Sequence, residues 1–128
     1  MNLLLDTHIW IWSKLEPRRL GSRVRSELSN EKNELWLSPV SVWEALVLMQ
    51  KGRIQVDDEF AWVDRAAEHM REAPLTREIV SAGLALPLTQ ADPADRFLAA
   101  TAKILKLTLV TADRRLLGLG DISSLANR

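Results

Sequence analysis

Asp6, Asp95 and Asp113 are acids placed where an enzyme would need them, each at the end of a short apolar run or the start of a helical one. Glu44 is a different case: it sits among Val42, Trp43, Ala45, Leu46, Val47 and Leu48, where a lone buried charge would be expensive. Three or four carboxylates meeting at one place repel each other, and few lysines lie near these positions to offset them. A divalent cation with oxygen ligands is the natural answer, and Mg²⁺ or Mn²⁺ suits carboxylate and water ligands. Such an ion promotes in-line cleavage of a phosphodiester by activating a water and offsetting charge on the leaving oxygen.

Each acid also has a plainer use. Asp6 can cap a helix beginning at Thr7, and Asp113 a helix beginning at Arg114. Asp92 precedes Pro93, a proline suited to a first helical position, so Asp92 reads as a cap. Asp95 in a first turn favours the helix dipole. The metal reading therefore rests on the set. His8 and His69 give no zinc-type spacing and read as structural or exposed. Ser38 and Ser41 lack the partners of a nucleophile. The five tryptophans read mainly as core anchors. Gly118-Leu119-Gly120 reads as a turn, and no glycine-rich phosphate loop is present.

The elements that position these acids follow from hydropathy. Residues 3–5 are an uninterrupted apolar run, as expected of a strand buried on both faces. Helices are expected over 7–15, where Pro17 ends the first, and over 20–30. A second strand falls at 35–37. Ser38-Pro39 then starts a helix running over 40–51, which Gly52 stops. Asp57 or Asp58 caps a helix reaching 71. A strand at 73–75 leads into a helix over 76–84. Asp92-Pro93 opens a strong helix whose Phe97, Leu98, Thr101, Ile104 and Leu105 share one face. A strand at 107–110, a short helix from 113 and an edge strand from 122 complete the chain. Strands alternating with helices imply an α/β domain with a parallel sheet and helices on both faces. Sites in such sheets lie at the carboxyl ends of the strands. Asp6 and Asp113 then share one edge, and Asp95 begins a helix at that same edge. Glu44 lies roughly 9 Å along its helix from Ser38, and spacing alone does not bring it there.

The 128 residues are 47% hydrophobic and 27% charged, ordinary for a globular domain. No apolar run approaches the ~20 residues needed to span a bilayer. Cysteine is absent, which excludes disulfides. A cytoplasmic location is expected. The 17 basic and 17 acidic residues cancel, so a nucleic-acid partner would need a local basic patch rather than a global excess.

Together these motifs resemble the PIN-domain proteins, in particular the VapC-type toxins of type II toxin–antitoxin modules. Leu3-Leu4-Leu5-Asp6-Thr7-His8 with Trp12 resembles the family's opening. Ser38 to Glu44, S-P-V-S-V-W-E, resembles its second motif. Asp92-Pro93-Ala94-Asp95-Arg96, followed by Leu98-Ala99-Ala100-Thr101-Ala102, resembles its third. Leu109-Val110-Thr111-Ala112-Asp113 resembles its fourth. The motifs occur in family order along the whole chain. The resemblance implies a single PIN domain over 1–128, a three-layer α/β/α fold with a mainly parallel sheet of four or five short strands. It implies a site of Asp6, Glu44, Asp95 and Asp113. Asp6 and Asp95 would be the main metal ligands, Glu44 and Asp113 secondary ones, and Thr111 a hydrogen-bonding support. It further implies Mg²⁺- or Mn²⁺-dependent cleavage of RNA, silencing by a cognate antitoxin, and assembly as a homodimer and as a hetero-oligomer with that antitoxin. One departure stands out: relatives carry a histidine shortly before the Asp-Pro pair, where this chain has Gln90 and Ala91, which bears on local substrate contacts.

Arg96, Arg114 and Arg115 directly follow site acids and are candidates to face RNA phosphates. Lys14, Arg18 and Arg19 form a second candidate patch. A haloacid-dehalogenase-type phosphatase needs a second aspartate two positions after the first, where His8 stands. A receiver domain needs paired acids at the first strand and a late lysine, and neither is present. The alternative from another class is a catalytically silent PIN-like module acting only through protein or RNA contacts. Retention of all four acids argues against it.

Overall fold

The computed structural model describes residues 1–89 and 91–128, so Gln90 lies outside the described residues. Leu3, Leu4 and Leu5 are each at most 1% exposed, and alternation along the strand sends them to opposite faces. Leu3 and Leu5 enter one apolar cluster and Leu4 the other. This strand, β1 (Asn2–Leu5), is the centre of a five-stranded sheet with β2 (Glu34–Leu37), β3 (Arg71–Glu72), β4 (Thr108–Thr111) and β5 (Ser124–Ala126), ordered β3-β2-β1-β4-β5. Every pairing is parallel.

One face is covered by α1 (Thr7–Leu15), α2 (Ser22–Ser29), α3 (Pro39–Gln50) and α4 (Glu59–Ala66), through Trp10, Val24, Met49 and Trp62 among others. The other is covered by α5 (Arg77–Ala85), α6 (Pro93–Leu105) and the one-turn α7 (Arg114–Leu117), through Ile79, Leu98 and Leu116. The three-layer α/β/α expectation is met. Among the described residues no helix is long and apolar enough to cross a membrane.

Several boundaries differ from expectation for local reasons. The helix expected to reach 71 stops at Ala66, because His69 adopts a left-handed φ of 67° and turns the chain. The third strand therefore begins earlier, at Arg71. Ala73, placed in that strand from sequence, instead follows it, donating its N–H to the Leu37 carbonyl at 2.9 Å. Leu20, expected within a helix, is extended after a 3₁₀ turn at Pro17–Arg19. The last strand starts at Ser124 rather than 122, since Ile122 is buried in the second apolar cluster.

Candidate active site

The register of β1 against β4 pairs Leu5 with Val110. That pairing brings Asp6, one residue beyond β1, beside Thr111, the last residue of β4. The Asp6 N–H donates to the Val110 carbonyl at 3.0 Å, and its carboxylate is held at both oxygens. Oδ1 accepts from the Thr7 N–H at 2.8 Å, and Oδ2 accepts from the Thr111 hydroxyl at 2.6 Å. Asp6 is thus the N-cap of α1 and also a site acid, so the two readings of this residue are compatible. Thr111 is fully buried, and its Oγ1 also accepts from the Asp113 N–H at 3.0 Å. One hydroxyl therefore ties two acids together.

Asp113 caps α7 through a bond from the Arg115 N–H. Asp95 stands in the first turn of α6, whose cap is Asp92, accepting from Ala94 N–H at 2.9 Å. Both acids meet at the Arg115 guanidinium, whose Nη2 lies 2.8 Å from Asp113 Oδ2 and 3.1 Å from Asp95 Oδ2. Asp6, Asp95 and Asp113 therefore share the edge that the parallel topology assigned to them.

Glu44 also turns to this edge, through a contact that sequence reasoning missed. The Thr7 hydroxyl donates to Glu44 Oε1 at 2.5 Å and lies 2.9 Å from Ser41 Oγ. Thr7 and Ser41 are 1% and 0% exposed, so these hydroxyls are spent inside the protein. The signal was present in part: Ser41 is one helical turn before Glu44, on the same side of α3. The apolar neighbours of Glu44 leave it half-buried. Trp43 is 69% exposed, against the expectation of a core anchor, and Val42, Leu46, Val47 and Leu48 are only half-buried. A groove of about 730 Å³ runs along this side of α3 toward α6, lined in part by His8, Trp43, Glu44, Val47, Asp92 and Phe97.

The charges are poorly compensated. Burial pushes the Asp6 carboxyl above its ordinary value, with the bonds from Thr111 and Thr7 opposing it. Glu44 is raised by burial too, opposed by the Thr7 hydroxyl and reinforced by the charges of Asp6 and Asp92. Asp95 is pushed up to about 6 by burial and by Asp6, Asp113 and Asp92, with Arg115 pulling the other way. Asp113 alone is lowered, because Arg115 grips it.

Two of the basic candidates behave unlike solvated cations. Arg96, expected to face phosphate, has its guanidinium turned inward onto backbone. It donates to the carbonyls of Gly83 at 3.1 Å and Leu86 at 3.2 Å, and also to that of Leu88. Those carbonyls end α5 and begin the following loop, where helix geometry leaves acceptors unpaired. Arg115 is turned onto the acids. Arg114 is exposed, as are His8, Lys14 and Arg18; Arg19 lies over the Trp12 ring at 4.4 Å. The expectation about the stretch before Asp92 concerns Gln90, outside the described residues, and Ala91, which is half-buried.

A parallel sheet with acids gathered at the carboxyl edge of its strands, each from a different element, defines an α/β domain whose candidate site lies where such sheets carry theirs. The PIN domain family matches residues 3–121, and the chain belongs to that family. It is 37% identical over 116 residues to Ribonuclease VapC22 of Mycobacterium tuberculosis, covering 89% of this chain and 88% of that protein. Among solved structures it is similar to VapBC2 from Rickettsia felis bound to a promoter DNA fragment, with TM-score 0.78 and 15% identity, covering 100% of both chains. It is also similar to DNA-bound VapBC from Salmonella typhimurium, with TM-score 0.72 and 18% identity, covering 98% of each.

The donor set fits a hard divalent cation in its chemistry: all oxygen, largely carboxylate, desolvated and short of positive charge. The arrangement seen is not yet a coordination sphere. Among the described residues, no three acidic or imidazole side chains stand close enough to hold one ion.

Proposed function

We propose that this protein is a Mg²⁺- or Mn²⁺-dependent endoribonuclease, the toxin of a type II toxin–antitoxin module. The observation that carries this reading is the convergence of Asp6, Asp95 and Asp113 at one sheet edge, where a single arginine, Arg115, is shared by Asp95 and Asp113, in a chain 37% identical to a VapC ribonuclease. Asp6 and Asp95 would hold the ion, with Glu44 and Asp113 completing the site. The ion supplies an activated water and offsets charge on the leaving oxygen.

The chain's own residues do the positioning. The Thr7 N–H and the Thr111 hydroxyl fix the plane of the Asp6 carboxylate, one bond to each oxygen. The Thr7 hydroxyl aims Glu44. Arg114, exposed at the start of α7, is available to a phosphate of the RNA. The largely apolar groove beside Glu44 is the surface proposed for the antitoxin, whose binding would cover the acids, and homodimer formation belongs to the same proposal.

The test is cleavage of RNA by purified protein with Mg²⁺, with Mn²⁺ and with EDTA. Cleavage should stop in EDTA. D6A and D95A should be inactive while keeping the parent's circular dichroism. Either variant cutting RNA at the parent rate overturns the assignment. Co-purification with the product of the neighbouring gene, and loss of cleavage in that complex, checks the toxin–antitoxin part.

A further inference from the structure

Arg96 and Arg115, each close to a site acid, are held in opposite ways. Arg96 is half-buried and its fork is spent on three backbone carbonyls. Arg115 has a side chain 51% exposed, and its guanidinium is spent on the acids alone: Nε lies 3.3 Å from Asp113 Oδ1, and Nη2 reaches Oδ2 of both Asp113 and Asp95. Exposed ion pairs of this kind are weak and exchangeable. The guanidinium lies between two carboxylates that a divalent cation would have to bridge or approach. Both cations cannot use the same oxygens at once. Asp6 and Glu44, by contrast, are held by hydroxyls and an N–H, which give way to no charge competition.

We propose that Arg115 is an internal stand-in for the divalent cation: it occupies Asp95 and Asp113 in the resting chain, is displaced when the cation binds, and then engages the RNA phosphate. This rests on the metal-dependent ribonuclease reading above. The geometry supports each part. Displacement breaks only contacts at an exposed side chain. The backbone of Arg115 stays anchored in the first turn of α7, because its N–H donates to Asp113 Oδ1 at 2.8 Å. A freed guanidinium there is confined to the mouth of the site, where a phosphodiester must lie to be cut. The fork geometry that now grips a carboxylate matches a phosphate equally well.

The experiment compares the full chain with R115Q and R115K in three readouts. Mn²⁺ binding without RNA is followed by the resonance of unbound Mn²⁺, and R115Q should bind roughly three- to tenfold more tightly than the parent. R115K should fall between them, since an ammonium keeps the charge but lacks the fork. In the parent, the Arg115 Nε–Hε resonance should move to the position of a free guanidinium as Mg²⁺ saturates. An uncleavable RNA analogue in Mg²⁺ should bind several-fold more weakly to R115Q than to the parent. Cation affinity and RNA affinity thus change in opposite directions, which a merely structural arginine does not produce. Unchanged Mn²⁺ affinity in R115Q, R115K matching the parent, or an Arg115 resonance unmoved at Mg²⁺ saturation overturns the proposal. If the parent binds the cation and cuts RNA while Arg115 stays on the acids, only the stand-in fails. If the parent binds no cation and cuts RNA in EDTA, both readings fall.

Discussion

Replacing Asp95 with asparagine should stabilise the metal-free protein while abolishing its activity. Asp95 has its carboxyl pushed from 3.8 up to about 6 by burial and by Asp6, Asp113 and Asp92. At 1.36 kcal/mol per pH unit, holding it charged in the folded protein costs about 3 kcal/mol relative to the unfolded chain. Its side chain is 20% exposed and neutral asparagine gives up the Arg115 pair, so a net gain of about 1–3 kcal/mol is expected at pH 7.5. For a domain of this size that is a rise of roughly 3–15 °C in Tm. The pH dependence carries the sign. The folded state binds the proton more tightly, so the parent loses stability as pH rises from about 4 to about 6, and the full penalty stands above that window. D95N should match the parent near pH 4 and exceed it at pH 7.5. Urea denaturation in EDTA at both values measures this, and the difference between variant and parent isolates Asp95 from the other titrating acids. Saturating Mg²⁺ should then raise the parent's stability and leave D95N nearly unchanged. A D95N gain that is the same at both pH values, or a loss at pH 7.5, refutes the claim that uncompensated charge at Asp95 strains the site.

Other variants probe the supports. T111V keeps the shape of Thr111 but removes its bonds to Asp6 and to the Asp113 N–H, for a loss of about 1–3 kcal/mol in chemical denaturation. Because the Thr111 bond lowers the Asp6 carboxyl, its removal should also shift the acid limb of the cleavage-rate profile to higher pH. E44Q should cut RNA about 10–100-fold more slowly with Tm in EDTA equal to or above the parent's, since it removes a charge that repels Asp6. R96A should destabilise by about 2–4 kcal/mol and open the 83–88 segment to limited proteolysis, with R96K a poor rescue. Unchanged stability with weakened RNA binding in R96A would restore Arg96 as a phosphate contact.

What could be read from sequence divides by the kind of force involved. The central strand was legible because Leu3, Leu4 and Leu5 face two cores at once, and only a doubly covered strand tolerates that run. Asp6, Asp95 and Asp113 were legible through topology, since parallel strands put their ends on one edge. Glu44 entered mainly through the family resemblance. Its apolar neighbours suggested a buried helix, whereas α3 leaves Trp43 and much of that surface open. Hydropathy cannot distinguish an apolar face that packs inside from one left at a groove. The Thr7 and Ser41 hydroxyls were missed because their partners lie 37 and 34 residues away from Thr7, and tertiary hydrogen bonds leave no local pattern. The inward bonds of Arg96 were missed for the same reason: nothing near it in sequence announces that α5 ends with unpaired carbonyls beside it.

The chemistry of the supports explains how four acids coexist at one edge. Lysine or arginine fixtures would neutralise the carboxylates permanently and leave no deficit for a cation to fill. Hydroxyls and backbone N–H groups instead orient a carboxylate without cancelling its charge. That is what Thr7 and Thr111 do for Asp6, and Thr7 for Glu44. The two acids with a cationic partner, Asp95 and Asp113, share a single half-exposed arginine on a one-turn helix. The strain left at Asp95 is carried by the two apolar cores beneath the edge, where Leu4, Leu98 and Leu109 on one face and Leu3, Trp10 and Val110 on the other are wholly buried. A buried leucine cut to alanine typically costs about 2–5 kcal/mol, so each such side chain contributes as much as the Asp95 charge removes. L98A should therefore lower Tm by about the same amount in EDTA and in saturating Mg²⁺, because a cation that binds the folded parent and L98A alike adds the same stability to both. A loss of Tm larger in Mg²⁺ than in EDTA, with the parent's Mg²⁺ stabilisation reduced in L98A, would mean that the core holds the edge in shape rather than merely balancing its charge.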